Sequence, residues 1–169
     1  MRLYLVRHGV AQDHLGGGVT RDSERPLTED GTAEMKLVAK ALGKMNIKPD
    51  LILASPLVRT RQTAQIIADA FGKEIILADA LAPAGSASLV FKTIAKHAAS
   101  HGNANQIFLV GHEPDMGMLL NKLIWAGPEC ELPFKKGAIA RVDVGDMPPT
   151  GPGILKWYMP PKIATSLLS

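Results

Sequence analysis

Residues 3–9 read Leu3-Tyr4-Leu5-Val6-Arg7-His8-Gly9, a short apolar run followed by a guanidinium, an imidazole and a glycine. The apolar run predicts a buried strand. Ligands of open α/β sheets bind beyond the carboxyl ends of the strands, where Arg7 and His8 would stand. Arg7 can bind phosphate or carboxylate oxygens through two N–H groups, and an unperturbed imidazole such as His8 is largely unprotonated at neutral pH. We expect Gly9 to leave room for a ligand beside them.

The composition is that of an ordinary globular protein. Hydrophobic residues make up 46% of the 169 residues and charged residues 21%, and the formal net charge is only +3. Basic residues are scattered and aromatic residues are few, which argues against nucleic-acid binding. No run approaches the ~20 apolar residues of a membrane span. The single cysteine, Cys130, favours a reducing compartment, so the sequence predicts a cytoplasmic protein with no nucleic-acid or membrane partner.

Strand-like and helix-like segments alternate along the first 125 residues. The predicted strands are 3–6, 51–54, 74–77 and 106–110, and the predicted helices begin after Thr28 and at Pro56, Leu89 and Asp115. Two further strand-like segments, 138–144 and 153–158, are separated by prolines. This order predicts an α/β three-layer sandwich, with a mostly parallel central sheet flanked by helices and an antiparallel edge near the C-terminus. We expect one domain over residues 1–169, without a lid or cap insertion.

Three of the predicted strands are followed by cationic or imidazole side chains. They lie at Arg7-His8, within 55–61 and at Gly111-His112. Because the carboxyl ends of parallel strands share one edge of the sheet, Arg59 or Arg61 could face Arg7 there. Two arginines and a helix N-terminus would hold phosphoryl oxygens and neutralise their charge. The pattern therefore indicates a phosphoryl-binding pocket that contains two histidines.

Three motifs in this order resemble the histidine phosphatase superfamily, which includes the phosphoglycerate mutases. They are Leu5-Val6-Arg7-His8-Gly9, Ser55-Pro56-Leu57-Val58-Arg59-Thr60-Arg61-Gln62-Thr63-Ala64 and Val110-Gly111-His112. Within that superfamily the chain is similar to the small SixA-type phosphohistidine phosphatases. This narrower resemblance rests on the short length and on three segments, Asp22–Thr28, Gly111–Pro114 and Gly153–Trp157. It implies the phosphoglycerate mutase-like form of the α/β fold.

The resemblance also implies a two-step reaction. His8 would attack phosphorus and become phosphorylated, and water would then release phosphate. Arg7 and Arg59 would hold the phosphoryl oxygens, His112 would complete the pocket, and Arg61 would support the helix surface. Contacts with substrate are expected from residues of the matching segments, namely Gly9, Ser23, Arg25, Ser55 and Glu113. No metal and no other cofactor is expected, since the arginines and imidazoles supply the positive charge.

One departure from the superfamily bears on the substrate. Members that cleave phosphomonoesters use a carboxylic acid after the third strand to protonate the leaving alkoxide, but residues 81–88 contain no Asp or Glu. The loss of a general acid commonly costs about 10²–10⁴-fold in rate. A phosphorylated imidazole leaves more easily, because solvent can protonate its nitrogen near neutral pH. The sequence therefore favours a phosphohistidine substrate, with Asp79, just upstream, as the possible acid of a phosphomonoesterase.

The expected partner is a phosphohistidine-bearing phosphotransfer protein or a histidine kinase in a signalling relay. The 17 residues between His8 and Pro26 are too few to build a lid, so the pocket would admit a side chain of another protein. Two alternatives stay open: a general small-molecule phosphomonoester phosphatase that uses Asp79, and a non-catalytic phosphoprotein-binding module that uses Arg7 and Arg59. The sequence does not distinguish Nδ1 from Nε2 of His8 as the nucleophile.

Overall fold

The computed structural model describes residues 1–13, 19–124 and 132–168, and Cys130 lies outside these ranges. The strands are β1 (Arg2–Arg7), β2 (Leu51–Ala54), β3 (Ile75–Leu77), β4 (Gln106–Gly111), β5 (Ile139–Asp143) and β6 (Ile154–Met159). The helices are α1 (Glu29–Lys44), α2 (Val58–Phe71), α3 (Ala87–Ser100), α4 (Asp115–Ile124) and α5 (Pro161–Ser166). Short 3₁₀ turns cover Asp22–Glu24 and Asp79–Leu81. Within the described ranges, no helix is long and apolar enough to cross a bilayer.

The six strands form one sheet in the order β3-β2-β4-β1-β5-β6. The first four in this order run parallel to one another, whereas β5 is antiparallel to β1 and β6 is antiparallel to β5. This confirms the predicted mostly parallel sheet with an antiparallel edge. Arg7 at the end of β1 pairs with Gly111 at the end of β4, so the residues that follow these two strands meet at one edge.

Helices cover both faces of the sheet. The central strand β1 is buried on both sides, as parallel strands in such sheets are: Tyr4 and Val6 lie in one core cluster, and Leu3 and Leu5 in the other. The first cluster includes buried residues of α1, α2 and α5, and the second includes buried residues of α3 and α4. The three-layer α/β architecture predicted from the sequence is therefore confirmed.

The chain that leaves β1 crosses helix α1 at very short range. A Cβ atom on Gly31 of α1 would lie 2.2 Å from the carbonyl oxygen of Val10, and a Cβ atom on Gly9 would lie 2.8 Å from Cγ of Met35. Real Cβ atoms do not approach neighbouring atoms this closely, so a side chain at Gly31 would displace backbone and a side chain at Gly9 would displace Met35. The space that a Gly9 side chain would need is thus occupied by α1, which differs from our expectation that this glycine clears room for a ligand.

The C-terminal part and two loops differ from the sequence prediction. Helix α5 follows β6 and begins at Pro161, where only proline-separated strands were expected. Helix α3 starts at Ala87, two residues before the predicted start, because the Ser86 hydroxyl caps it by accepting the N–H of Leu89 at 3.2 Å. Residues 22–24 and 79–81, predicted as loops, form single 3₁₀ turns.

Candidate active site

His8 is buried at the carboxyl end of β1, with 6% of its surface exposed. Its backbone N–H donates to the carbonyl oxygen of Gly111 at 3.1 Å, which fixes the residue against β4. Its side-chain Nδ1 lies 2.7 Å from the carbonyl oxygen of Gly9. A carbonyl oxygen can only accept a hydrogen bond, so Nδ1 carries the proton and Nε2 keeps a free lone pair. The structure thus leaves Nε2 as the ring nitrogen with a free lone pair, a distinction that the sequence left open.

The surroundings of His8 keep its imidazole neutral. Burial is the largest cause and lowers the pKa of His8 to about 4, with further lowering by the positive charges of Arg59, Arg7 and Lys136. The hydrogen bond to Gly9 raises the pKa, but it does not outweigh burial. A neutral imidazole with one free nitrogen is the form that can attack phosphorus, and this form persists throughout the physiological pH range.

His112 follows β4 and lies beside His8. The two ring centroids are 5.4 Å apart, and His112 is 2% exposed. Nε2 of His112 lies 2.7 Å from the hydroxyl oxygen of Ser55, which is fully buried at the end of β2. Burial and the charge of Arg59 lower the pKa of His112 to about 3. Ser55, expected to contact substrate, thus holds the second histidine in place.

The two buried histidines make the stability of the fold depend on pH. In the unfolded chain they bind protons near pH 6.5, whereas in the folded chain they stay neutral down to about pH 4 and 3. The unfolded state therefore binds more protons below pH 6.5, and the stabilisation present above that pH is lost as the pH falls. From pH 7 to pH 5 we expect each histidine to lower the free energy of unfolding by about 2 kcal/mol.

Urea unfolding at pH 7 and pH 5 measures this loss in the wild type. The matched control is the double variant His8→Asn/His112→Asn, which has no imidazole at either position. Between pH 7 and pH 5, the free energy of unfolding of this variant is expected to fall by about 4 kcal/mol less than that of the wild type. Equal losses in the two proteins would contradict the buried, neutral state of these histidines.

Arg59 lies in the first turn of α2 and is held by an acidic residue. Its Nη1 donates to the backbone carbonyl of Asp22 at 2.8 Å, and its Nη2 donates to the Asp22 carboxylate at 3.0 Å. Nε of Arg25 donates to the other carboxylate oxygen of Asp22 at 2.8 Å. Partial burial raises the pKa of the Asp22 carboxyl group, but the two arginines outweigh this effect and hold the pKa below its ordinary value. Arg59 is 5% exposed, whereas Arg61, the other candidate, is exposed.

Asp22 was not among the predicted site residues. It lies 37 positions before Arg59 in the sequence, and only the fold brings the two together. The sequence signal for Asp22 was its position in the Asp22–Thr28 segment, which carries part of the family resemblance. From that segment, Ser23 and Arg25 were predicted as substrate contacts instead. Ser23 is exposed, and Arg25 contacts the site through Asp22 and also donates to the backbone carbonyl of Gln12.

Arg7 is held by the segment that leads into β5. Its Nη1 donates to the carbonyl oxygen of Phe134. The N–H of Phe134 in turn donates to Oε1 of Glu113 at 2.8 Å, and Oε2 of Glu113 accepts the N–H of Gly117 in α4 at 3.2 Å. Both carboxylate oxygens of Glu113 are therefore bonded to backbone. Glu113, predicted to contact substrate, supports Arg7 through Phe134.

Asp79, the possible general acid, is exposed at the start of the 3₁₀ turn after β3. Strand β3 is the edge strand of the sheet, and β2 and β4 separate it from β1. Among the described residues, no group of three or more His, Cys, Asp or Glu side chains is arranged to hold a metal ion.

Three buried nitrogen atoms of the site have no hydrogen-bond partner among the described residues. They are Nε of Arg7, Nε of Arg59 and Nδ1 of His112. Buried polar atoms are nearly always paired in proteins, and a site that leaves several unpaired indicates a ligand. Arg7 and Arg59 each lower the pKa of both His8 and His112, which places all four side chains within electrostatic reach of one another. The arrangement can bind an anion next to a neutral nucleophile.

Comparison with known proteins agrees with this geometry. Residues 3–85 match the sequence model of the histidine phosphatase superfamily, branch 1. The phosphohistidine phosphatase SixA of Escherichia coli is 28% identical over 163 residues, covering 95% of this chain and 94% of SixA. A Picosynechococcus protein without a characterised activity is 36% identical over 140 residues, 82% of each chain. The solved structure of SixA complexed with tungstate has a TM-score of 0.81 and 27% identity, covering 96% of this chain and 98% of SixA.

The fold, the paired histidines and these matches define a phosphatase, and the chain belongs to the histidine phosphatase superfamily. Within the superfamily it is a SixA-type member, because SixA matches it over nearly the full length of both chains in sequence and in structure. The family recognised from the three sequence motifs is thereby confirmed.

Proposed function

We propose that this chain is a protein phosphohistidine phosphatase that works through a phosphorylated His8. The observation that carries the proposal is the set of unpaired buried nitrogens of Arg7, Arg59 and His112 around a neutral His8. A phosphoryl group would supply oxygen acceptors for these nitrogens and negative charge for the two guanidinium groups. The Nε2 lone pair of His8 would then face the phosphorus atom.

The proposed reaction has two displacement steps. In the first, a bond forms between His8 Nε2 and phosphorus while the bond from phosphorus to the substrate imidazole breaks, and the leaving nitrogen takes a proton from solvent. In the second, the oxygen of a water molecule bonds to phosphorus and gives up a proton to solvent, the bond to His8 Nε2 breaks, and inorganic phosphate leaves. Throughout, Arg7 and Arg59 neutralise the charge on the phosphoryl oxygens, which is the main requirement of phosphoryl transfer.

The choice of phosphohistidine over a phosphomonoester rests on the leaving group. Residues 81–88 offer no carboxyl group, and Asp79, just upstream of them, is exposed after the edge strand β3. An alkoxide leaves poorly without a general acid, whereas an imidazole is a far better leaving group because its nitrogen is protonated near neutral pH. The name of the relative SixA supports the same substrate class.

The proposed partner is a phosphohistidine-bearing phosphotransfer protein or a histidine kinase. Residues 1–169 would form one domain without a lid, which leaves the site open to a side chain presented by another protein. We place the reaction in the cytoplasm, since a chain with one cysteine forms no internal disulfide and suits a reducing compartment.

The proposal is tested by offering two substrates to the purified protein in parallel. One is a phosphotransfer domain phosphorylated on histidine and the other is p-nitrophenyl phosphate, and the release of phosphate is followed for both. We expect kcat/KM for the phosphohistidine domain to exceed that for the ester by at least about 100-fold. The variant Asp79→Asn is expected to leave both values within about twofold of the wild type.

The opposite pattern would contradict the proposal. Faster turnover of p-nitrophenyl phosphate, together with a loss of about 10²-fold or more in Asp79→Asn, would make the chain a phosphomonoesterase with Asp79 as its acid. Tight binding of the phosphorylated domain without any release of phosphate would instead indicate a binding module.

A further inference from the structure

An open groove of about 450 Å³ adjoins the candidate active site on the side of Arg7. Its walls come from the segment before β5 and from the start of α5, and its charged lining residues are Arg7, Lys135, Lys136, Lys162 and Glu34. We call it the lysine groove. The mechanism described above uses only Arg7 of these residues, so the other three cations have no role in it.

The lysine groove carries an excess of positive charge. Lys135 and Lys162 are exposed, and neither forms an ion pair with any residue in the described parts of the chain. Lys136 lies 3.4 Å from the carboxylate of Asp13, and Glu34 is the acidic residue of the lining. The groove and its rim therefore hold four cationic side chains and two carboxylates. Such a surface attracts an anionic partner.

The groove is joined to the nucleophile by the backbone. The N–H of Gly137 donates to the carbonyl oxygen of His8 at 2.9 Å, and the carbonyl of Phe134 holds Arg7. Lys135 and Lys136 lie between these two anchors, and Lys136 is close enough to lower the pKa of His8. A chain whose phosphorylated side chain occupies the site would therefore have its neighbouring residues beside these lysines.

We propose that the lysine groove binds the acidic side chains that flank the phosphorylated histidine of a substrate protein. This inference rests on the proposed function. The shape favours a protein partner, because a small molecule in an open groove would leave most of its surface in water. None of the described residues that line the groove is aromatic, which does not favour a site for single-stranded nucleic acid. Lysines are mobile point charges, which suits carboxylates whose positions differ between partners.

The test uses two synthetic peptides, each carrying one histidine phosphorylated with phosphoramidate. In the acidic peptide the flanking residues are Asp and Glu, and in the neutral peptide they are Asn and Gln. We expect the wild type to turn over the acidic peptide with a kcat/KM about tenfold higher. Raising the NaCl concentration from 50 to 500 mM is expected to remove most of this preference, since salt screens exposed charges.

A charge-reversal pair identifies the groove as the source of the preference. Lys135→Glu/Lys162→Glu is expected to abolish or invert the preference for the acidic peptide. Its matched control is Lys92→Glu/Lys96→Glu, which makes the same change in net charge at two exposed lysines of α3, outside the groove. The control is expected to keep the preference of the wild type. Thermal unfolding of both variants checks that they fold.

Each outcome bears on one of the two proposals. An equal loss of preference in both double variants, or no preference in the wild type, would overturn the groove proposal alone. Turnover of p-nitrophenyl phosphate but of neither peptide and not of free phosphohistidine would overturn the proposed function. In that event calorimetric titration with the same peptides tests the groove proposal. Tighter binding of the acidic peptide than of the neutral peptide by the wild type, but not by Lys135→Glu/Lys162→Glu, would support the proposal. Equal affinities of the wild type for the two peptides would overturn it.

Discussion

Replacing His8 with alanine is expected to lower the rate of phosphate release from phosphohistidine by at least about 10⁴-fold, the scale of loss seen when a nucleophile is removed. The variant keeps Arg7 and Arg59, so it is expected to retain affinity for the phosphorylated domain. Loss of turnover with retained binding distinguishes a nucleophile from a residue that only binds. Stopped assays of phosphate release and calorimetric titration measure the two quantities.

The matched control is His97→Ala, which removes an imidazole from α3 instead of from the site. Its turnover is expected to stay within about twofold of the wild type. Rapid quenching of the wild type in alkali, followed by peptide analysis, is expected to find the phosphoryl group on Nε2 of His8. Phosphorylation of Nδ1, or full turnover by His8→Ala, would contradict the site described here.

Replacing Arg59 with alanine is expected to lower kcat/KM by about 10²–10³-fold, because a charge aimed at the phosphoryl oxygens in a buried site is lost. The variant is expected to fold, since Asp22, the residue that Arg59 pairs with, has a side chain that is 62% exposed and can be solvated alone. Arg59→Lys is expected to recover only part of the loss, because an ammonium group restores the charge but not the two parallel N–H donors.

Arg61→Ala provides the control for Arg59. It removes an exposed guanidinium two residues along the same helix and is expected to change kcat/KM by less than about twofold. A larger loss of kcat/KM in Arg61→Ala than in Arg59→Ala would indicate that Arg61, and not Arg59, binds the phosphoryl group. Comparison of steady-state kinetics for the three arginine variants with one phosphorylated domain decides between these outcomes.

The parts of the fold that were predicted correctly are those specified by local sequence. The strands at 3–6 and 51–54 are short apolar runs because they are buried on both faces, and such runs are recognisable without any tertiary information. The helix predicted after Pro56 ends at Phe71, because the next residue, Gly72, adopts a left-handed conformation with φ of 61°. Helix α5 was not predicted, because it has only six residues and begins at a proline pair that is equally typical of a turn.

The central residues of the candidate site were predicted, but their supporting contacts were not. His8 and His112 follow strands, and the rule that parallel strand ends meet was enough to bring them together. The contacts of Asp22 with Arg59 and of Ser55 with His112 depend on side-chain directions across 37 and 57 positions of sequence. Glu113 was predicted to contact substrate, and its bonds to backbone N–H groups could be seen only once α4 and Phe134 were in place.

The hydrogen bond from His8 Nδ1 to the Gly9 carbonyl has a consequence for the second half of the proposed reaction. When Nε2 bonds to phosphorus, the ring keeps its Nδ1 proton, because the carbonyl can only accept. The phosphorylated ring is therefore a cation, and a cationic ring readily gives up its phosphoryl group as it returns to the neutral form. We therefore expect the phosphorylated enzyme of the proposed reaction to be short-lived. We expect a histidine held in this way to suit an enzyme that hydrolyses a phosphorylated side chain better than one that keeps the phosphoryl group for later transfer.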